Sequence, residues 1–233
     1  SFVYPITQKL RSQNIKYTIS FGGAAGTYLA QACPDATSLA NEYENIIKYY
    51  SPNNLDFDIE NDMQTNNQQL ANLTTALNSV HKNHPDIKIS FTLKVMPEGL
   101  VDNVGLNVIK QLKANNANFD FNINIMAMDY GPSYTGNMAK YAEDAATRTL
   151  AQVKNYFPNK TMANISITPM IGINDTAPLN FSTQDAKDLT AWSKENNTGW
   201  LSMWSINRDH SCSSIWPDNT CSGANPAVKD TTK

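Results

Sequence analysis

Six apolar, β-rich runs alternate with amphipathic segments along this chain, and no other feature constrains its fold as strongly. The runs are Ile15–Gly23, Leu55–Asn61, Ile87–Met96, Phe119–Tyr130, Met162–Ile173 and Gly199–Asn207. The segments with helical spacing of apolar residues are Ala36–Tyr50, Gln68–His81, Gly99–Ala114, Tyr141–Tyr156 and Thr183–Glu195. Strands that alternate with helices indicate a parallel sheet covered by helices, so we predict the α/β class.

The length of 233 residues is enough for one sizeable core, and no internal repeat or low-complexity linker divides the chain. We therefore expect a single domain over residues 1–233 that ends in a loop-like segment, 211–233. The net charge of −3 and the lack of a basic stripe argue against a nucleic-acid partner. No apolar run approaches the roughly 20 residues that a membrane span needs.

The second run carries three acidic side chains on one face. Side chains of a strand alternate between its two faces, so Asp56, Asp58 and Glu60 point one way and the apolar residues between them point the other. Neighbouring carboxylates repel one another, so at least one of them is expected to keep its proton near neutral pH. Such a carboxylic acid can act as a general acid. A cation site or a solvated strand edge is the alternative interpretation.

The carboxyl ends of parallel strands are where catalytic residues lie in α/β barrels. Five of the six runs end in small, polar or aromatic residues of the kind that form sites. These ends are Ser20–Gly23, Asp58–Glu60, Met126–Tyr130, Ile171–Asp175 and Met203–Asn207. The repetition at five ends favours one functional site built from several strands.

The three cysteines do not have the spacing of metal ligands, and the histidines do not cluster with them. We therefore expect neither a metal ion nor another cofactor. Cys212 and Cys221 flank a short polar loop that suits a local disulfide, which leaves Cys33 over. A local disulfide indicates an oxidising compartment.

The acidic run resembles the D-G-x-D-x-D-x-E pattern of family 18 of the glycoside hydrolases, the chitinases and their relatives. Asp56, Asp58 and Glu60 match the last three acids of the pattern. Asn53 and Asn54 depart from it, because the family usually has Asp and Gly there.

Three further motifs follow the family order. Ser20-x-Gly22-Gly23 resembles the S-x-G-G strand, Met126–Tyr130 resembles the M-x-Y strand, and Trp204 resembles the tryptophan that closes the last strand. The resemblance extends from about residue 15 to residue 210, and the phrase from 202 to 209 resembles secreted bacterial chitinases.

The resemblance implies an eight-stranded (β/α)8 TIM barrel. In the family these motifs lie on the third, fourth, sixth and eighth strands, so the six runs correspond to strands three to eight. The 14 residues before Ile15 leave no room for the first two strands. We therefore expect a missing N-terminal segment to complete the barrel, with Phe2-Val3 as a remnant of strand two.

The resemblance also implies hydrolysis of chitin by a retaining mechanism in which the substrate supplies the nucleophile. Glu60 would be the general acid and Asp58 would bind the acetamido N–H of the substrate. Asp56 would share a proton with Asp58, and Tyr130 would orient the acetamido oxygen.

Seven residues are candidates for binding the substrate. Trp204 would form an apolar floor under a sugar ring, and Met126 and Met128 would shape the acetamido pocket. Asn174 would bind sugar hydroxyls or, equally, cap the next helix. Ordinary core packing is the alternative for Trp204, Met126 and Met128. Close packing or a tight turn is the alternative for the remaining three, which are Ser20, Gly22 and Gly23.

Two other functions fit the same motifs. An endo-β-N-acetylglucosaminidase acting on N-glycans would use the same acids and the same acetamido pocket. A non-catalytic chitin-binding lectin on this barrel would usually lack the acid, so the presence of Glu60 favours an enzyme. We expect a secreted monomer whose partner is chitin or chito-oligosaccharides.

Overall fold

The computed structural model describes residues 3–223, so Phe2 and the last ten residues of the predicted C-terminal loop lie outside the description. Its elements in chain order are α1 (Val3–Ser12), β1 (Thr18–Gly22), α2 (Leu29–Ala32), α3 (Ala36–Tyr50), β2 (Asn54–Asp58), α4 (Asn67–Asn83), β3 (Lys88–Met96), β4 (Gly99–Leu100), α5 (Gly105–Ala114), β5 (Phe121–Ala127), α6 (Met138–Lys154), β6 (Ile165–Pro169), β7 (Gly172–Ile173), β8 (Asn180–Phe181) and α7 (Thr183–Asn196). Short 3₁₀ helices cover Asn61–Gln64, Met162–Asn164 and Ile206–Arg208. The alternation of strands and helices that the sequence predicts is confirmed.

The chain divides into two compact units. The first comprises residues 3–93 and 102–122, and the second comprises residues 94–101 and 123–223. The prediction of a single domain stays a prediction.

The first unit is built on the parallel strands β1, β2 and β3. Their register places Ser20 opposite Asp56 and Asp56 opposite Ser90. On the other face of β2, Phe57 is buried and its ring contacts the rings of Phe21, Tyr43 and Phe91. For Asp56 and Asp58, the period-2 pattern therefore separates an acidic face from an aromatic core, as predicted. Strand β2 ends at Asp58, however, so the prediction that Glu60 lies on the strand is wrong, and Glu60 precedes the 3₁₀ helix that begins at Asn61.

Helix α3 shows how the sequence fixes the surroundings of this core. Asp35 caps its first turn by accepting a hydrogen bond from the Ser38 backbone N–H at 2.8 Å. Leu39, Tyr43 and Ile47 then recur at intervals of four residues and are buried. This apolar stripe is the signature of an amphipathic helix that covers a sheet.

The second unit contains the parallel pair β5 and β6, whose centres align Ile125 with Ile167. The two-residue strands β7 and β8 pair in antiparallel fashion in the same unit. The predicted sixth run, Gly199–Asn207, does not form a regular strand. It makes two isolated parallel bridges to β6 and the residue that follows it, through Leu201 and Trp204, and then turns into a 3₁₀ helix.

Three further boundaries differ from the prediction. Val3 begins helix α1, so its assignment to a remnant strand is wrong. Gly99 starts a short strand, and helix α5 begins only at Gly105. Met162 lies in a 3₁₀ helix and not in β6. In each case the apolar residues occur where predicted. The type and the first residue of the element differ, because they depend on local backbone geometry that the spacing of apolar residues does not encode.

Helices long and apolar enough to cross a bilayer are absent from residues 3–223.

Candidate active site

Asp56 lies at the centre of the acidic face and is held by hydroxyl groups from both neighbouring strands. Its carboxylate accepts hydrogen bonds from Ser20 Oγ at 2.7 Å, Ser90 Oγ at 2.6 Å and Thr92 Oγ1 at 2.9 Å. Burial raises the pKa of Asp56, and these hydrogen bonds oppose the rise. These three hydroxyls hold Asp56 in place. Ser20 therefore has a position in the acidic cluster itself. The sharing of a proton between Asp56 and Asp58 stays a prediction.

Asp58 has a different environment. Its Oδ1 atom is buried and has no hydrogen-bond partner among the residues that the structure describes. Burial, and then the charges of Glu60 and Asp56, raise the pKa of Asp58 to about 7. A carboxyl group with this pKa exchanges its proton near neutral pH, which agrees with the titration expected of the cluster. Its unpartnered oxygen is free to meet a donor from a ligand.

Two glycines bring the end of β1 against the end of β2. Gly22 and Gly23 have φ values of 103° and 101°, which glycine adopts without strain. A Cβ atom on Gly22 would lie 2.3 Å from the carbonyl oxygen of Asp58 and 2.3 Å from the ring of Tyr28. The Gly23 N–H donates to the same carbonyl at 2.9 Å. Direct contact of either glycine with a substrate stays a prediction.

Tyr28 is a site residue that none of the sequence motifs includes. Its phenol oxygen accepts a hydrogen bond from the Glu60 backbone N–H at 2.6 Å. The same oxygen lies 3.1 Å from the carbonyl of Gly23 and 3.2 Å from that of Glu60, so either carbonyl can accept its proton. Burial is the main cause that raises the pKa of Tyr28, and the nearby charges of Asp58 and Glu60 add to it.

Asn61 reinforces this arrangement immediately after Glu60. Its backbone is left-handed, with φ of 50°, and its Nδ2 donates to the Ala24 carbonyl at 3.0 Å. The residue that carries the candidate acid is thus followed by a second connection to the glycine-rich loop. For the contacts of Tyr28 with Glu60 and of Asn61 with Ala24, the only signal in the sequence is the presence of an aromatic residue, Tyr28, after the two glycines.

In the second unit, Tyr130 lies beyond the end of β5 and not on the strand as predicted. It is 3% exposed, and its ring contacts the rings of Tyr134 and Tyr141. Its hydroxyl is buried without a hydrogen-bond partner in the described part of the chain, and burial raises its pKa. Met126 and Met128 are half-buried. A buried, unpartnered phenol is a suitable donor for a ligand oxygen.

Asn174 is fully buried and ties two loops of the second unit together. Its Nδ2 donates to the carbonyls of Met170 and Gly172 at 2.9 and 3.1 Å, and its Oδ1 accepts from the Asp129 N–H at 3.1 Å. Helix α7 is capped by Ser182 instead, so the capping role considered for Asn174 is wrong. Both ends of its amide are occupied, a geometry that does not favour direct contact with a sugar.

Trp204 has the exposure that stacking requires. It is 52% exposed. Its backbone is fixed by two hydrogen bonds: its N–H donates to the Pro169 carbonyl at 2.9 Å, and its carbonyl accepts from the Ile171 N–H at 3.0 Å.

The predicted disulfide between Cys212 and Cys221 is present in this unit. Residues 3–223 contain no group of three or more His, Cys, Asp and Glu side chains arranged to hold a metal ion.

This acidic strand, with the glycine turn beside it, is part of a longer match: the model of the glycosyl hydrolases family 18 matches residues 3–209. The chain belongs to this family.

Named relatives agree with the assignment. A probable bifunctional chitinase/lysozyme of Escherichia coli K12 and endochitinase 11 of Metarhizium anisopliae are each 30% identical over 222 residues, which is 88% of this chain. The chain spans only 24% and 42% of the lengths of these two proteins.

The structural comparison identifies the fold as that of family 18 catalytic domains, the TIM-barrel type. The catalytic domain of a hyperthermophilic chitinase from Pyrococcus furiosus matches with a TM-score of 0.86 and 31% identity. The match covers 98% of this chain and 73% of that one. Catalytic-site mutants of active domain 2 of a thermostable chitinase from the same organism, complexed with chito-oligosaccharides, match with a TM-score of 0.83.

Proposed function

We propose that this family 18 chain hydrolyses chitin, the β-1,4-linked polymer of N-acetylglucosamine, with retention of configuration at the anomeric carbon. Membership of the family and the chitinase names of its relatives support this substrate. The observation that carries the mechanism is the pair formed by Asp58, the last residue of β2, and Glu60, two residues after it. Asp58 has a buried oxygen without a partner, and its pKa of about 7 lets it titrate near neutral pH.

In the first step, the proton of the Glu60 carboxylic acid passes to the glycosidic oxygen as the bond from that oxygen to the anomeric carbon breaks. The acetamido oxygen of the same sugar attacks the anomeric carbon and forms an oxazolinium ion. Asp58 accepts a hydrogen bond from the acetamido N–H and offsets the positive charge that develops there. Family 18 is a known exception to the scheme in which a protein carboxylate is the nucleophile.

In the second step, the Glu60 carboxylate takes a proton from water, and the water oxygen attacks the anomeric carbon. The bond between that carbon and the acetamido oxygen breaks, and the product keeps its β configuration. Asp56 has a supporting role, because its three hydroxyl partners fix the strand position that precedes Asp58.

Two residues of the second unit belong to the proposal on chemical grounds. The buried, unpartnered hydroxyl of Tyr130 is suited to donate to the acetamido oxygen. The exposed ring of Trp204 is suited to stack on the C–H face of a sugar. The disulfide between Cys212 and Cys221 supports secretion into an oxidising environment.

The test compares soluble chito-oligosaccharides with a high-mannose glycoprotein as substrates. We expect cleavage of the oligosaccharides to products with β configuration, measured by chromatography and NMR, and no release of glycan. Release of the glycan alone would replace chitin by N-glycans as the substrate. Binding of chito-oligosaccharides without any cleavage would identify a lectin.

A further inference from the structure

Exposed apolar side chains are concentrated near the end of the described chain. Of nine large hydrophobic residues that are exposed within residues 3–223, five fall in one stretch of 14 positions. The nine are Ile6, Ile15, Tyr49, Val101, Met203, Trp204, Ile206, Ile215 and Trp216. Trp204 belongs to the proposed site, but Ile215 and Trp216 have no role in it. These two side chains are 77% and 69% exposed and lie inside the loop that the disulfide closes.

This loop is braced at its base. Besides the disulfide, it is held by the side chain of Arg208, which is fully buried. The guanidinium donates to the carbonyls of Ile171 and Ile173 at 2.9 and 2.6 Å and also to the carbonyl of Asp218. The Ser222 N–H donates to the His210 carbonyl at 2.9 Å. A loop fixed in this way loses little conformational entropy when it binds a partner.

Local bonds at the tip project Trp216 outwards. Ser214 Oγ donates to the Trp216 carbonyl at 2.8 Å and lies 3.2 Å from the Trp216 nitrogen. The backbone of Trp216 is thus satisfied within three residues, and its side chain is left in solvent. Exposed apolar patches of this kind mark binding surfaces.

The chemistry around the tip favours a neutral ligand rich in hydroxyl groups. Asp218 is the only charged residue between Cys212 and Cys221. Its carboxylate accepts bonds from the Thr220 N–H and Oγ1 at 2.7 and 2.6 Å. The other polar groups there are hydroxyls and amides, and no basic side chain lies between the two cysteines, so a nucleic acid finds no complementary charge. The one carboxylate is engaged within the loop by Thr220.

We propose that Ile215 and Trp216 form a second carbohydrate contact, which holds the protein on insoluble chitin. The indole of Trp216 would stack on the C–H face of a sugar ring, Ile215 would add apolar contact beside it, and the surrounding hydroxyls and amides would meet the hydroxyl and acetamido groups of the polymer. The identity of the ligand rests on the proposed function, whereas the presence of a contact surface rests on the exposure and bracing of the tip.

The experiment measures two properties of the Trp216→Ala variant. Co-sedimentation with powdered chitin gives the affinity for the insoluble polymer, and hydrolysis of a soluble chitotetraose gives kcat/KM. We expect the affinity for chitin to fall about tenfold, the effect of losing one well-placed aromatic anchor, while kcat/KM stays close to that of the parent. The Trp216→Phe variant, which keeps a flat ring, should recover most of the affinity. Tyr49→Ala, an exposed aromatic in the first unit, is the matched control and should bind as the parent does.

Unchanged sedimentation of Trp216→Ala would overturn the proposal. An equal loss of binding for Tyr49→Ala would overturn it as well, because adsorption would then follow general hydrophobicity. A change of oligomeric state in Trp216→Ala, seen by analytical ultracentrifugation, would assign the tip to contact between copies of this chain instead. A parent protein that binds chitin through Trp216 but cleaves no oligosaccharide would leave this proposal standing and refute the hydrolase.

Discussion

The phenol oxygen of Tyr28 lies 2.6 Å from the backbone nitrogen of Glu60. Tyr28 stands at the start of helix α2, and Glu60 follows strand β2, so one hydroxyl connects parts of the first unit that are 32 residues apart. The same oxygen lies within hydrogen-bonding distance of the Gly23 carbonyl at the end of β1. The backbone of the candidate acid is thereby fixed by a side chain that need not touch the substrate.

Replacing Tyr28 by Phe tests this positioning role. The Glu60 N–H would lose its partner, which costs about 1–3 kcal/mol when such a group is left buried, and the Glu60 backbone would be free to shift. Because a displacement of about 1 Å can reduce catalysis 10²-fold, we expect kcat on chitotetraose to fall about tenfold or more, with KM little changed.

Tyr17→Phe is the control for that variant, since the Tyr17 hydroxyl donates to the Tyr50 carbonyl on another part of the same unit. Thermal unfolding of both variants gives the stability loss. If both lose similar stability and similar kcat, Tyr28 has only a structural role.

Replacing Glu60 by Gln removes the acid but keeps the shape of the side chain. We expect kcat to fall by about 10²- to 10⁴-fold, the usual contribution of general acid–base catalysis, while binding of chito-oligosaccharides is retained. Steady-state kinetics and isothermal titration calorimetry measure the two effects. A kcat close to that of the parent would show that Glu60 is not the general acid.

Asp58→Asn should change the pH dependence of stability. The pKa of Asp58 is about 7 in the folded protein, above the ordinary aspartate value of about 3.9. Ionisation of Asp58 therefore opposes folding: the penalty is absent below about pH 4, grows up to about pH 7 and is constant above it. We expect the variant to be more stable than the parent at pH 8 and equally stable at pH 4, although it loses activity.

Urea unfolding at the two pH values measures this difference. Asp86→Asn, which removes one charge at an exposed position, is the control for a change in net charge. A stability difference for Asp58→Asn that is the same at pH 4 and pH 8 would contradict the raised pKa.

The sequence predicts well what depends on neighbouring residues. The alternation of acidic and apolar side chains around Asp58 needs only the period of a strand, and helix α3 begins and ends where its apolar spacing indicates. These patterns are local, so they can be read without knowing the fold. The order of the four motifs along the chain, which matches that of family 18, then predicts the type of barrel.

Contacts between distant residues could not be predicted in this way. Nothing in the sequence links Tyr28 to Glu60, or Asn174 to the Asp129 backbone 45 positions earlier. The run around Leu201 has the composition of a strand, yet it forms only isolated bridges, because pairing depends on what lies beside it. Residues whose role is to connect loops therefore appear only in the structure.

Chelation tests the alternative interpretation of the acidic run as a cation site. Hard cations such as calcium require six or more oxygen ligands, whereas the oxygens of Asp56 are occupied by Ser20, Ser90 and Thr92. We expect hydrolysis rates to be unchanged after dialysis against EDTA. Loss of activity that calcium restores would support the cation site.

The acetamido group of the substrate is the nucleophile in the proposed mechanism, and substrates that lack this group test it. Because Asp58 acts only through the acetamido N–H in the proposed mechanism, a sugar without its N-acetyl group should bind but not react. Fully deacetylated chitosan should be inert, and partly acetylated chitosan should be cut only where an acetylated sugar lies on the non-reducing side of the broken bond. A thiazoline analogue of the oxazolinium ion should inhibit, because it resembles the charged intermediate.

If Asp58 attacked the sugar directly, deacetylated substrate would be cleaved and a covalent sugar would remain on the protein. Mass spectrometry of enzyme quenched during turnover distinguishes the two mechanisms, since a sugar adduct on Asp58 would refute the assistance of the substrate.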